Sequence, residues 1–466
     1  MAATRDAGIP LAGPADGVEN RDEDEAVGRY RWVVCSLLFF ATTINYIDRQ
    51  ILSLLKPILD EQLGWTNAQF GQVNAAFQAS YAVGLLVFGA VIDRVGTRLG
   101  YALSIAAWSA AAIAHSAVGS ISGFFRARVA LGLGEGGNFP SAIKAVALWF
   151  PRRERAFATA LFNSGANVGA IIAPATIPVI ALHWGWRSAF VAAGLAGFVW
   201  LGFWIIFYEV PERARRVTAA ELAHIRSDPR DTEATATGRL GWGQLLRYRQ
   251  AWSFVVAKFL TDPVWWFFLI WLPDYFKKTR GLDLKKSWVH LVTVYTVVTV
   301  LSVLGSWATG ALTRRGVGVN RARKLSMLVA ALTVLPILLV TRAGDWTAVF
   351  LIGLAGASHQ AWSANLYTSV SDMFPKRAVA SLVGLGGMAG SVGGILFPLF
   401  SGKLLDTFQS RGNVTAGYAI LFGICGTAYL AAFALGHLLA PRFDPITDLP
   451  TDNQSPPAPG PSTEPS

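Results

Sequence analysis

Charge is scarce in this chain. Of its 466 residues only 15% are Asp, Glu, Lys or Arg, whereas 53% are hydrophobic. A soluble domain usually carries about 25% charged residues, so a soluble globular protein of this size is excluded. Cysteine is rarer still. Cys35 and Cys425 both fall inside apolar stretches, which excludes a disulfide framework. No metal-ligand spacing and no nucleophile beside a base stands out, so no enzymatic activity is expected. The first 25 residues have no apolar run, and no cleavable signal peptide is expected. The formal charge of +11 is spread over short loops rather than gathered on one face. It therefore points to membrane orientation and not to a nucleic-acid partner.

Long apolar runs are what the chain has in abundance. Windows of about 20 residues, each enough to cross a bilayer, recur along nearly the whole length. Twelve spans are expected, at 31–56, 69–92, 99–117, 121–148, 156–180 and 186–209, then 250–276, 287–312, 322–341, 346–373, 377–403 and 414–440. The domain plan is a cytoplasmic tail at 1–30 and six-helix bundles at 31–209 and 250–440. Between them lies a cytoplasmic linker at 210–249, and a disordered cytoplasmic tail follows at 441–466. Arginines concentrate in alternate loops, which places both termini in the cytoplasm. Five basic residues on the opposite side, Lys277, Lys278, Arg280, Lys285 and Lys286, do not fit that rule.

The chain also repeats itself. Phe150–Pro174 laid without gaps on Phe374–Pro398 matches at nine of twenty-five positions, a displacement of 224 residues. Two halves in the same orientation are the parallel repeat of a secondary transporter.

Four charges inside apolar spans organise the rest: Asp48, Arg49, Arg128 and Glu135. Arg128 and Glu135 lie two helical turns apart, so both leave one face about 10 Å from each other. Charges in a bilayer turn toward protein or an aqueous cavity. Asp48 and Arg128 share a similar depth because their helices run in opposite directions. The alternative role is an ion pair that only holds helices together. The run around them, Gly132-x-Gly134-x-x-Gly137, spells a dinucleotide fingerprint, but the strand this needs is missing. Its glycines instead thin a helix for close approach by a neighbour. Either Arg49 or Arg128 can offer a carboxylate substrate a planar two-pronged partner. Asp93 with Arg94 and Arg98 suits a gate that pairs in one state and parts in the other. Polar groups in apolar spans are candidates for binding hydroxyls: Tyr46, Gln78, Tyr81, Asn163, Asn167, His359, Gln360, Asn365 and Tyr367, with Trp266 as a stacking wall. Hydrogen bonds between helices are the competing role for each. Lys258 and Asp262 read as an internal pair.

Gly89-Ala-Val-Ile-Asp93-Arg94-Val-Gly96-Thr97-Arg98 resembles the loop signature of the major facilitator superfamily, and the resemblance covers about residues 30–440. Asn45-Tyr46-Ile-Asp48-Arg49, Arg128…Glu135 and the stretch from Asp262 to Pro273 resemble the anion:cation symporters, most of all bacterial hexuronate and galactonate transporters. The resemblance implies an all-α integral membrane protein with twelve transmembrane helices in two six-helix pseudo-symmetric bundles. It implies proton-coupled import of a monoanionic sugar acid by a monomer in the bacterial inner membrane, surrounded by lipid and without a cofactor other than the proton. Asp48 and Glu135 would carry protons, and Arg49 and Arg128 would line the substrate site. Span 11 lacks the polar residue that aldonate-type relatives have near Gly386, which favours a hexuronate. Sodium-coupled or exchange transport of another organic anion is the alternative, followed by a membrane sensor that reuses the fold.

Overall fold

A computed structural model describes residues 28–227, 242–282 and 284–446. The two expected tails, of which the one at 441–466 is expected to be disordered, therefore lie largely outside the described residues, as does the middle of the linker. Among the described residues there is no strand. The first half contains α1 (Tyr30–Leu63), α2 (Asn67–Val95), α3 (Thr97–Ala117), α4 (Ile121–Glu135), α5 (Asn138–Trp149), α6 (Arg152–Trp184) and α7 (Trp186–Phe207). Two short linker helices follow, α8 (Ala219–Ile225) and α9 (Trp242–Leu245). The second half contains α10 (Arg249–Arg280), α11 (Leu284–Arg314), α12 (Val319–Val334), α13 (Asp345–Met373), α14 (Lys376–Ser410) and α15 (Val414–Leu439).

These helices make the twelve spans. The fourth is broken into α4 and α5 because the ring of Pro140, three residues into α5, would clash with the carbonyl of Gly136. The ninth continues from α12 as a 3-10 stretch, Leu335–Arg342, after Pro336 removes a backbone donor. The first span runs past its expected end at 56 to Leu63, where Gly64 stops it in a left-handed conformation at φ 61°. Among the described residues eight helices meet a plain length-and-hydropathy rule for crossing a membrane. Of those that do not, α1 and α13 carry polar residues expected at the site, and the fourth span is divided. Side chains such as Leu86 and Val199, 71% and 62% exposed, give the bundle the apolar exterior that a bilayer solvates.

The repeat seen in the sequence falls on equivalent helices. Phe150-Pro151 precedes α6 and Phe374-Pro375 precedes α14, each the fifth span of its half, and both prolines are extended N-caps. Across the seam α2 packs on α14, α6 on α11 and α1 on α10.

The seam is fastened at the end where α1 turns into α2. Asp406 of α14 accepts from Asn67 N and Ala68 N at 2.8 Å each, capping α2 from the opposite half. Lys56 of α1, 1% exposed, donates to Asp274 of α10 at 2.8 Å. Two of the five misplaced basic residues bridge the halves here, and a third ties α10 to the start of α13 in its own half. Lys277 donates to Glu61 at 2.6 Å, Lys278 to Asn67 at 2.8 Å, and Arg280 to the carbonyl of Ala343 at 2.5 Å. The backbones also touch, since a Cβ on Gly71 would lie 2.4 Å from Pro398 O. At the opposite end α5 packs on α1, α2, α3 and α6, while α13 packs on its own half. Among the described residues the hydrogen bonds and ion pairs between the halves thus gather at the α1–α2 turn.

Asp406→Ala should loosen this fastening. Loss of a helix cap costs about 1–2 kcal/mol, a shift of roughly 5- to 30-fold in a two-state balance. Spin labels at His183→Cys and Arg411→Cys, both exposed at the fastened end, should gain a longer-distance population in the variant. An unchanged distribution would mean that Asp406 does not hold the halves together.

Candidate functional site

The site begins with how α4 lies on α2. A Cβ on Gly132 would sit 2.5 Å from Phe77 O, and one on Gly136 would sit 2.3 Å from the backbone of Gly84. Only glycine permits this approach, and the run does thin the helix as its composition suggests. The contact sets the Phe77 ring of α2 5.5 Å from the Arg128 guanidinium of α4, with Gln78 and Tyr81 following on α2. Arg128 and Glu135 are 1% and 0% exposed. Glu135 Oε2 accepts from Arg49 Nε at 2.6 Å, joining α4 to α1. Arg128 Nη2 donates to the Arg49 carbonyl at 3.4 Å, while its Nε has no partner among the described residues. Asp48 lies within electrostatic reach of both arginines and Glu135, and neither of its oxygens accepts a hydrogen bond among the described residues.

Arg49 occupies the seam. Its guanidinium carbon is 5.1 Å from the Tyr46 ring, 5.5 Å from Phe77, 4.4 Å from Tyr81 and 5.7 Å from Trp266 of the other half. These faces favour a cation electrostatically. Nε of Arg49 is taken by Glu135 and the Tyr81 hydroxyl is a further side-chain partner of the same guanidinium, whose two Nη groups can still present a planar fork to an anion that displaces the tyrosine. Asn45, one turn earlier on α1, is fully buried with both amide atoms unpartnered among the described residues.

The second half brings its own charged group. Lys258 Nζ lies 2.6 Å from Asp262 Oδ2 and 2.9 Å from Tyr367 OH. A Cβ on Gly390 would meet Asp262 Oδ2 at 2.2 Å, and one on Gly394 would lie 3.1 Å from Trp266 Cδ1 and 3.7 Å from Gln78 Cδ. Gly390-x-x-x-Gly394 on α14 therefore makes room for site side chains rather than for another backbone. Tyr46 and Tyr367 interact electrostatically across the seam.

The structure gathers Tyr46, Asp48, Arg49, Gln78, Tyr81, Arg128, Glu135, Trp266 and Tyr367. It does not gather all the candidates. His359 stacks on Trp265 at 5.6 Å and its Nδ1 lies 2.7 Å from Tyr429 OH, so its ring is already occupied. Asn365 donates to Thr309 and to the Ala361 carbonyl and lines a separate cleft between α11, α12 and α13. Both side chains thus take the competing role, since buried polar groups on a helix are satisfied by its neighbours as readily as by ligand. Asn163 is exposed, and Asn167 and Gln360 are half-buried. Asp93 accepts from Lys144 at 2.8 Å, Arg98 donates to Glu209, and Arg94 is exposed, all at the end bearing the termini and all within one half. Asn45, Phe77, Lys258 and Asp262 are the site members that the sequence reading left out.

Comparison with known proteins agrees with this architecture. The family model described as Major Facilitator Superfamily matches residues 38–398. The chain is 31% identical over 398 residues to the hexuronate transporter of Escherichia coli (strain K12), covering 84% of this chain and 90% of that one. It is 31% identical over 257 residues to the galacturonate transporter of Dickeya chrysanthemi, covering 55% and 74% respectively. A crystal structure of a bacterial homolog of the human lysosomal transporter Spinster, inward-facing and occupied, superposes with a TM-score of 0.68 at 18% identity, over 88% of this chain and 97% of that one. Helix order, internal repeat, loop signature and these matches agree, and the chain belongs to the major facilitator superfamily.

Proposed function

We propose that this transporter imports a monoanionic sugar acid together with a proton, by alternating access. The substrate class is a hexuronate such as glucuronate or galacturonate, or an aldonate such as galactonate. The observation that carries the reading is Arg49, a guanidinium at the seam of the halves whose Nε is held by Glu135 and whose Nη groups face only neutral aromatic partners, Tyr81 among them. A carboxylate matches that fork with two parallel hydrogen bonds. Glu135 and the substrate then compete for one cation. A proton on Glu135 weakens its hold on Arg49 and frees the guanidinium for the anion, which ties substrate to proton. Asp48 is the carboxyl through which the proton of Glu135 is loaded and released, so coupling needs both, and Arg128 supports both carboxyl groups and the backbone of Arg49.

The hydroxyl end of the substrate faces the second half. Lys258 and Tyr367 donate, Asp262 accepts, and Trp266 offers a ring face. Such a set suits a polyol, because a buried polar group left without a partner is costly. The names of the two curated relatives support a sugar-acid substrate. Coupling is to the proton with no other cofactor. In this reading the chain acts as a monomer in a bacterial inner membrane with both termini in the cytoplasm.

Uptake of labelled glucuronate, galacturonate and galactonate into proteoliposomes tests this, with proton and sodium gradients imposed separately. Accumulation is expected from the proton gradient alone. A requirement for sodium would remove Asp48 and Glu135 as coupling residues, and no uptake of any of the three would overturn the substrate class. Lys258→Met should raise KM for the accepted sugar acid about 10-fold or more, as loss of a charged hydrogen-bond donor predicts. A wild-type KM would return Lys258 and Asp262 to a purely structural pairing.

A further inference from the structure

The outer face of the first half carries a second built feature, remote from the seam. A groove of about 590 Å³ runs between α1, from Val33 to Ile44, and α7, from Ala196 to Phe207. Eleven residue steps along each helix make it roughly 16 Å long, about half the ~30 Å hydrocarbon thickness of a bilayer. Its wall is apolar, and its few polar groups are already used. Ser36 Oγ donates to the Trp32 carbonyl at 2.9 Å, and Trp200 Nε1 donates to the Leu37 carbonyl at 3.1 Å.

At the end nearest the termini the groove meets a polar cavity of about 400 Å³, with Phe207 common to both. Tyr30, Glu209, Arg213, Arg215 and Arg216 line this cavity. Its acids are spoken for. Glu209 takes Arg98, nearby Glu212 takes Arg226 at 3.2 Å, and Glu221 takes Arg31 at 3.4 Å. Arg216 lies 4.7 Å from the Phe207 ring and, among the described residues, reaches only the Tyr30 hydroxyl, at 3.5 Å. Among the described residues no carboxylate pairs with Arg213, Arg215 or Arg216. Three guanidinium groups with no carboxylate partner among the described residues thus stand at the mouth of a groove one leaflet long.

We propose that groove and cavity form one binding site for an anionic phospholipid of the leaflet nearest the termini. The phosphodiester sits among Arg213, Arg215 and Arg216, and one acyl chain fills the groove between α1 and α7. Length, apolar wall and charge each select for this occupant. A zwitterionic lipid presents the same chains with a choline that the arginines repel, and a soluble phosphate leaves the groove empty.

Native mass spectrometry of the full chain in detergent can test this by titration with phosphatidylglycerol and phosphatidylcholine of identical acyl chains. Phosphatidylglycerol should bind at least ~10-fold tighter, since each interfacial arginine is worth roughly fivefold in affinity for an anionic surface. The triple variant Arg213→Gln/Arg215→Gln/Arg216→Gln should reduce it to the phosphatidylcholine level. Val199→Trp, at a side chain 62% exposed on the groove wall, should weaken both lipids. Unfolding temperatures in phosphatidylcholine nanodiscs, unchanged in these variants, would separate lost lipid from lost fold. Equal binding of the two lipids by the wild type would overturn the proposal. So would glycerol 3-phosphate binding as tightly as phosphatidylglycerol. A preference that emerges only after the acidic run Asp22 to Glu25 is neutralised would also overturn it, because the chain's own tail would then be the occupant.

Discussion

Arg49→Met is expected to abolish sugar-acid binding and lower the unfolding temperature, and adding Glu135→Gln is expected to restore only the second. The asymmetry follows from burial. Glu135 is 0% exposed and its Oε2 is held by Arg49 Nε at 2.6 Å. Removing one partner of a buried pair leaves the other charge stranded and costs about 3–5 kcal/mol. Removing both charges at similar volume takes away that penalty, because two neutral groups need no compensation. Binding has no such rescue, since the Nη fork goes with Arg49. Losing a desolvated charge pair to a ligand costs about 2 kcal/mol or more, which is ~30-fold or more in affinity. Arg49→Lys sharpens the test. An ammonium keeps the pair with Glu135 but has no fork, so stability should stay near wild type while affinity falls. Calorimetric titration with glucuronate, beside unfolding curves in detergent, reads both quantities. Wild-type affinity in Arg49→Met would remove Arg49 from the site.

Much of this site was legible in the sequence because charge is so rare there. In a chain of apolar spans, Asp48, Arg49, Arg128 and Glu135 announce themselves, and a seven-residue spacing is enough to put two of them on one face. The repeat was legible too, through Phe150-Pro151 and Phe374-Pro375, because proline fixes where a helix can start. The identity of partners was not. Arg128…Glu135 stands out as a pair within one helix, yet Glu135 binds Arg49 of another, 86 positions away. Lys258 and Asp262 look like an internal i,i+4 pair and are one, but only packing shows that Tyr367 completes the group and that Gly390 makes room for Asp262. His359 and Asn365 carried the same signal as Gln78 and Tyr81, a polar side chain in an apolar span. Tyr429 and Thr309 satisfy them, and nothing local encodes that. Phe77 gave no signal, since a phenylalanine in such a span is ordinary. Lys277, Lys278 and Arg280 defied the orientation rule because their acceptors lie on α1, on α2 and before α13.

Asp48→Asn should abolish proton-driven accumulation and leave exchange of substrate across the membrane intact. The two carboxyl groups of the site differ in what a proton would displace. At Glu135 it displaces the Arg49 contact, so protonation there changes the substrate site itself. At Asp48, 1% exposed, no hydrogen bond is displaced among the described residues. Asparagine copies the shape of the neutral acid but can neither load nor release the proton. The substrate-bound carrier can still alternate, because asparagine brings no charge and leaves the Arg49 fork in place. The proton-free return would no longer be distinguished from the loaded one, and net movement would follow the substrate gradient alone. The separation is visible in proteoliposomes. Counterflow between labelled and unlabelled sugar acid should continue near the wild-type rate, while uptake under an imposed proton gradient should stop at the equilibrium distribution. Loss of both activities would make Asp48 a positioning residue for Arg49 and Arg128 and leave Glu135 as the single coupling carboxylate. Retention of both would remove Asp48 from coupling altogether.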